Sequence, residues 1–86
     1  MPINQNCLFQ LQQIGLPMIV EVKKSKAQPI ITEAKIHIDG TITDLKTGKK
    51  YPQPSALRQE LVAKNTATYR HLFFNGRSLS ELGVRP

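Results

Sequence analysis

The stretch IHIDGTITDLKTGK, residues 36–49, contains two predicted chain reversals, and these set the path of the strands around it. Asp39-Gly40 is a strong hairpin signal, since both residues tolerate positive φ angles in a two-residue turn. Gly48 is a second turn signal, because glycine supplies the left-handed position of a tight turn. The residues before the first turn alternate between apolar and polar, as a half-buried strand does. The stretch therefore predicts antiparallel strands joined as a meander.

Three helical segments flank these strands. Residues 7–14 carry apolar side chains at helical spacing, with Asn6 as the N-cap and Gly15 as the closing residue. Proline is favourable in the first turn of a helix, so residues 53–55, Gln-Pro-Ser, predict the start of a second helix. Ser78 predicts the cap of a short final helical turn.

The other strands follow from alternation and aromatic content. Residues 18–23 and 30–38 predict strands on either side of a polar loop, and residues 69–74 predict an aromatic strand before an Asn-Gly turn. The order is therefore helix, strand meander, helix, strand and short helix. This order predicts one domain over residues 1–86 of the α+β class: a small antiparallel β-meander sheet packed with two or three short helices.

The charge of the chain narrows the choice of partner. Twelve Lys and Arg against six Asp and Glu give a formal net charge of +6 and a pI near 9.8. Such an excess suits a polyanion, although it also serves solubility. The single cysteine, Cys7, excludes an intrachain disulfide and fits a reducing compartment. We therefore expect a soluble intracellular protein, in the cytoplasm, nucleoid or nucleus, with no membrane partner.

The sequence lacks the patterns that catalysis and metal binding require. A metal site needs three or four converging ligands, and the two histidines stand far from the single cysteine. The glycines of residues 36–49 belong to two separate turns and form no phosphate loop. Asp39 and Asp44 lie in or near turns, where Asp serves backbone geometry. We predict a protein that is not an enzyme and has no metal or cofactor.

The basic residues cluster around the second turn, the second helix and the last strand. If that helix packs on the sheet, with Arg58 facing outward, these elements share one edge that can contact DNA phosphates. Two tyrosines belong either to this surface or to the core, and the core is favoured for each taken alone. The free amides at the second helix start offer one further phosphate site. The candidate DNA-binding residues are Lys46, Lys49, Lys50, Tyr51, Ser55, Arg58, Tyr69, Arg70 and Arg77.

The order of short motifs resembles the RAMA domain, a module associated with restriction enzymes and adenine methylases. The resemblance rests on a Leu-x2-Leu-x3-Gly-Leu element at residues 8–16, on DGTITDLKTGKKYPQPSA at 39–56, and on YRHLFFNGRSLSEL at 69–82. Two features depart from the family: Tyr69 stands where a tryptophan usually opens the aromatic strand, and QPSA replaces the commoner SPSA. A weaker resemblance is to the SAND domain, whose basic KDWK segment is absent here.

The RAMA resemblance implies DNA binding beside methylation or restriction machinery, with recognition of N6-methyladenine proposed for some members. We therefore expect DNA as the partner, in duplex form. Two alternatives stay open: a protein-interaction domain of a regulatory or chromatin assembly, and a phage or mobile-element factor that binds a host protein. On this chain the resemblance points to Lys49, Lys50, Tyr51, Ser55, Arg58, Tyr69 and Arg77.

Overall fold

The structure is a computed structural model that describes residues 3–86. It confirms the α+β class. Within these described residues, two α-helices, six strands and one 3-10 turn occur in this order: α1 (Gln5–Ile14), β1 (Met18–Lys23), β2 (Ile30–Ile36), β3 (Ile42–Asp44), β4 (Lys50–Tyr51), α2 (Pro54–Leu61), the 3-10 turn (Thr68–Arg70), β5 (Leu72–Phe74) and β6 (Arg77–Ser78).

All six strands belong to one antiparallel sheet with the order β4-β3-β2-β1-β5-β6. Strands β1 to β4 form the predicted meander. After α2 the chain returns to the other side of β1, where Val22 pairs with Leu72 of β5. Strands β4 and β6 are therefore at opposite edges of the sheet, about 24 Å apart by five interstrand spacings.

One face of the sheet forms the core with both helices. Burial alternates along β1, where Met18, Val20 and Val22 are buried, so successive residues point to opposite faces. The opposite face is open to solvent, and Ile19 is 49% exposed there. A single cluster joins the inward side chains of the sheet to those of the helices, among them Cys7, Leu11, Ala34, Ile36, Ile42, Leu57 and Leu72.

The helix and strand ends differ from the predicted ones by a few residues. Helix α1 begins at Gln5, because the side chain of Asn4, and not of Asn6, accepts hydrogen bonds from the first-turn amides. Gly15 ends this helix with a φ of +130°, as predicted. Residues 68–70 form a 3-10 turn, so the aromatic strand is shorter than predicted. The final segment is a hydrogen-bonded turn in which Ser78 Oγ accepts from the Glu81 amide at 3.2 Å.

The hairpin at Asp39-Gly40 is present, but its turn is longer than the two-residue turn that was predicted. Of the residues in this turn, Gly40 has the positive φ, +87°. The Asp39 carboxylate instead accepts hydrogen bonds from the amide and the hydroxyl of Thr41, at 3.0 and 2.7 Å. A Cβ atom at Gly40 would lie 2.5 Å from Cγ2 of Ile3, so this position requires glycine for packing as well.

The turn between β3 and β4 is built around a buried carboxylate. Asp44 accepts hydrogen bonds from the Lys46 amide at 2.9 Å and from the hydroxyls of Thr47 and Thr32 at 3.0 and 2.7 Å. Burial alone would raise the pKa of Asp44, but these hydrogen bonds outweigh it and hold the pKa below its ordinary value. Gly48 takes the predicted left-handed position, with φ +80°.

Candidate nucleic-acid interface

The predicted basic residues lie in two groups, and the prediction that they share one edge is wrong. Lys46, Lys49 and Lys50 lie at the β3–β4 edge, whereas Arg70 and Arg77 lie at the β5–β6 side. All five are exposed. The groups separate because β5 pairs with β1 and not with β4, so the whole width of the meander stands between them.

Lys49 and Tyr51 interact with one carboxylate of α2. The Lys49 ammonium lies 2.8 Å from Glu60 Oε1 and 5.1 Å from the centre of the Tyr51 ring. The Tyr51 hydroxyl donates a hydrogen bond to the same carboxylate. Burial, and then this bond to Glu60, raise the pKa of Tyr51 to about 12. These contacts hold β4 against α2, and Tyr51 belongs to the core.

Arg58 is buried, so the prediction that it faces outward from the helix is wrong. Its side chain donates to the carbonyl oxygens of Ala63 and Lys64, at 2.9 and 2.6 Å, and to the Thr68 hydroxyl at 3.3 Å. Carbonyl groups at and beyond a helix end have no partner within the helix, and a basic side chain can satisfy them. Arg58 therefore fixes the segment that follows α2, and its buried guanidinium group already has these partners within the protein.

Two further predicted residues, Tyr69 and Ser55, have environments that differ from the predicted phosphate-contacting edge. Tyr69 is 8% exposed, and burial together with the neighbouring Cys7 thiol raises its pKa. Tyr69 thus lies in the core, as does Tyr51. Ser55 is the second residue of α2 and lines a cavity of about 180 Å³ that has no lysine or arginine in its wall. A phosphate at this helix start would contact only neutral groups of that wall.

Four basic side chains come together in a cleft at the β5 side of the sheet, which we call the basic cleft. Its volume is about 480 Å³, and four basic side chains line it: Lys24 and Lys26 from the β1–β2 loop, Arg70 from the 3-10 turn, and Arg85 near the end of the chain. Glu81 is the acidic residue of this lining. The excess of positive charge in a concave surface raises the local concentration of anions.

Backbone contacts fix the walls of the basic cleft. The Lys23 amide donates to the His71 carbonyl at 3.0 Å, which attaches the start of the β1–β2 loop to the segment before β5. In return, His71 Nδ1 donates to the Lys23 carbonyl at 3.1 Å, because a carbonyl oxygen only accepts. The Arg85 amide donates to Gln10 Oε1 of α1 at 2.7 Å. The side chains that line the cleft therefore project from a defined backbone.

A second cavity, the adjoining cavity, has a volume of about 420 Å³. It shares Arg70, Ser80 and Arg85 with the basic cleft. Its other walls are small, apolar or aromatic, and they come from Ala67, Thr68, Tyr69, Val84 and Pro86. The two cavities are thus neighbours that share a wall, and the basic cleft is the more charged of the two.

Sequence reasoning found only one residue of the basic cleft, Arg70. The polar residues between β1 and β2 predict a loop, and the signal for a basic site there is the presence of three lysines within residues 23–26. Arg85 gave no local signal. The lysines of this loop meet Arg70 because β5 pairs with β1, a contact between segments about fifty positions apart in the chain.

Several other findings concern residues 3–86. No group of three His, Cys, Asp or Glu side chains in this range is arranged to hold a metal ion. None of the helices in the same range has the length and apolar character needed to cross a membrane.

Comparison of the chain with protein-family models, with curated proteins and with solved structures finds no match. The RAMA resemblance therefore stays a prediction.

Proposed function

We propose that the protein is a DNA-binding module, without catalytic activity, that holds backbone phosphates in the basic cleft. The observation that carries the proposal is the convergence of Lys24, Lys26, Arg70 and Arg85 on one concave surface. None of these four is among the ion pairs formed within residues 3–86. Lys and Arg side chains without an acidic partner are the groups that position a protein on phosphates.

Other charges in the structure support this choice of surface. At the opposite edge, Glu60 already pairs with Lys49, which lowers the positive charge available there. In the basic cleft, the Glu81 carboxylate accepts a hydrogen bond from Ser78 Oγ at 3.3 Å, so it is held by its own turn. Contacts from Lys46, Lys50 and Arg77 to DNA stay predictions, and they would extend the interface beyond the cleft.

The salt dependence of DNA binding tests the proposal. Four phosphate contacts predict a slope of about −3.6 for log affinity against log salt, and so a loss of about 150-fold between about 50 and 200 mM salt. Fluorescence anisotropy with a labelled duplex measures this slope. Lys24→Gln with Lys26→Gln should reduce the slope to about −1.8, because two contacts are removed.

The matched control is Lys64→Gln, which removes one positive charge from an exposed position outside the cleft. The slope of this control should equal that of the unaltered protein. Salt-independent binding, no binding to any DNA at low salt, or an equal change of slope in the control would each defeat the proposal.

Recognition of N6-methyladenine is a finer form of the same proposal, and it comes from the RAMA resemblance. A methyl group on adenine needs an apolar or aromatic wall, which the adjoining cavity offers. Titration of the protein with methylated and unmethylated versions of one duplex, followed by NMR, tests it. Equal shifts with both versions would remove methyl recognition and leave DNA binding intact.

A second candidate function is protein interaction through the open face of the sheet. Ile19 and Leu45 lie on or beside this face and are 49% and 46% exposed, and Ile38 at the hairpin tip is 67% exposed. Exposed apolar residues grouped on one face mark interaction sites. Ile19→Ser with Ile38→Ser should abolish capture of a protein partner and leave the salt slope of DNA binding unchanged, whereas the Lys24→Gln, Lys26→Gln protein should show the reverse.

A further inference from the structure

We propose that the basic cleft and the adjoining cavity together hold one unpaired nucleotide of the bound DNA. The phosphates on either side of this nucleotide would lie in the basic cleft, and its base would enter the adjoining cavity. This inference rests on the proposed function, because it names the form of DNA that the same surface selects.

The inference rests on three residues that line both cavities. Arg70, Ser80 and Arg85 line both cavities, so the cavities are adjacent, and a ligand that passes over these side chains reaches both. The volumes of about 480 and 420 Å³ both lie within the ~300–1,000 Å³ range of small-molecule sites. A phosphate alone would bind in the basic cleft and would leave the adjoining cavity empty.

The chemistry of the two cavities matches the two ends of a nucleotide. Lys24 and Lys26 line the basic cleft and not the adjoining cavity, while Val84 and Tyr69 line the adjoining cavity and not the basic cleft. At the junction, an arginine side chain can contact a phosphate with its charge or stack on a base with its planar guanidinium group. The hydroxyl of Ser80, in both walls, can donate to or accept from either part.

The base that enters this cavity must be unpaired. In a duplex the two faces of each base are stacked and its pairing edge is occupied, so a paired base can enter a cavity only after it leaves the stack. An extra, unpaired nucleotide avoids most of that cost. The site should therefore prefer DNA that contains one unpaired nucleotide over a continuous duplex of almost the same charge.

Three labelled DNAs test the preference by fluorescence anisotropy: a continuous duplex, the same duplex with one extra unpaired nucleotide, and that DNA with an abasic residue at the extra position. We expect the unpaired nucleotide to tighten binding about tenfold, the size of a typical base-stacking contribution. The abasic version should bind like the continuous duplex. Tightening by the abasic version as well would overturn the inference, because DNA flexibility and not the base would then be recognised.

Ala67→Trp assigns the preference to the adjoining cavity. Ala67 is exposed and has extended backbone angles, φ −74° and ψ +122°, so a tryptophan is compatible with the fold while its ring fills the cavity. The variant should lose the preference and keep the affinity for the continuous duplex. The matched control, Ala63→Trp, is exposed and outside both cavities, and it should keep the preference.

The outcomes separate this inference from the proposed function. Equal affinity of the unaltered protein for the continuous and the interrupted duplex overturns the inference and leaves DNA binding standing. A preference that survives Ala67→Trp, with circular dichroism showing an intact fold, overturns the placement of the base. Absence of binding to all three DNAs at low salt overturns both.

Discussion

Replacing Arg58 by methionine should destabilise the protein and leave its DNA binding intact. The methionine keeps the apolar stem but removes the guanidinium group, which donates to Ala63 and Lys64 at 2.9 and 2.6 Å. A hydrogen bond from a charged group contributes about 1.5–3 kcal/mol, so two such bonds contribute at least about 3 kcal/mol. In the variant, the two acceptor residues are exposed and their carbonyl groups can bind water, which offsets about 1 kcal/mol of the lost unfolding free energy.

The expected loss is therefore about 2 kcal/mol of unfolding free energy. For a domain of this size it corresponds to a fall of about 10 °C in the melting temperature. Urea denaturation followed by circular dichroism measures the loss, with Lys64→Met as the control for an exposed basic residue. A loss below about 0.5 kcal/mol, together with a weaker salt dependence of DNA binding, would refute the capping role and return Arg58 to the interface.

Two further predictions concern the turns of the meander. Gly40→Ala should lower the unfolding free energy by about 2–3 kcal/mol, because it combines a positive φ with a Cβ atom 2.5 Å from Ile3. Gly48→Ala has open space around its Cβ atom and should lower the unfolding free energy by only about 1 kcal/mol. Equal losses for the two variants in denaturation would contradict close packing at Gly40. The lowered pKa of Asp44 means that its contribution to stability is complete above the pKa of the unfolded chain and is lost as the pH falls through the folded value. Unfolding free energy should therefore fall from about pH 5 downward, and Asp44→Asn should reduce that fall; an unchanged pH dependence in the variant would contradict this role.

The sequence predicts which segments form helices and strands better than it predicts which of these segments pack together. Turn chemistry and local periodicity are properties of adjacent residues, which is why the α+β class, the meander and the start of α2 at Pro54 were predictable. The pairing of β5 with β1 is a contact between distant segments, and no local pattern specifies which edge of a meander receives the next strand. The error about a shared basic edge follows directly from this missing contact.

For the candidate site as well, the sequence does not show which tertiary contacts each side chain makes. Charge alone cannot distinguish an arginine that is free to contact a ligand from one that caps a helix end, so the sequence places Arg58 among the candidate DNA-binding residues. Arg85 stands apart from the other basic residues in the sequence, and only the fold brings it to the basic cleft. The two tyrosines were predictable as core residues, because aromatic side chains are usually buried with the hydroxyl near a polar group. The composition of the β1–β2 loop was visible, but its closeness to Arg70 depended on tertiary structure.

DNA binding at the basic cleft is best examined by an NMR titration of the protein with a short duplex. If DNA binds there, the largest amide shifts will occur in residues 24–26 and 70–71 and at residue 85, and the midpoint of the titration will move to higher DNA concentration as salt is added. Shifts confined to residues 46–50 at the opposite edge, or no shifts at low salt, would contradict it.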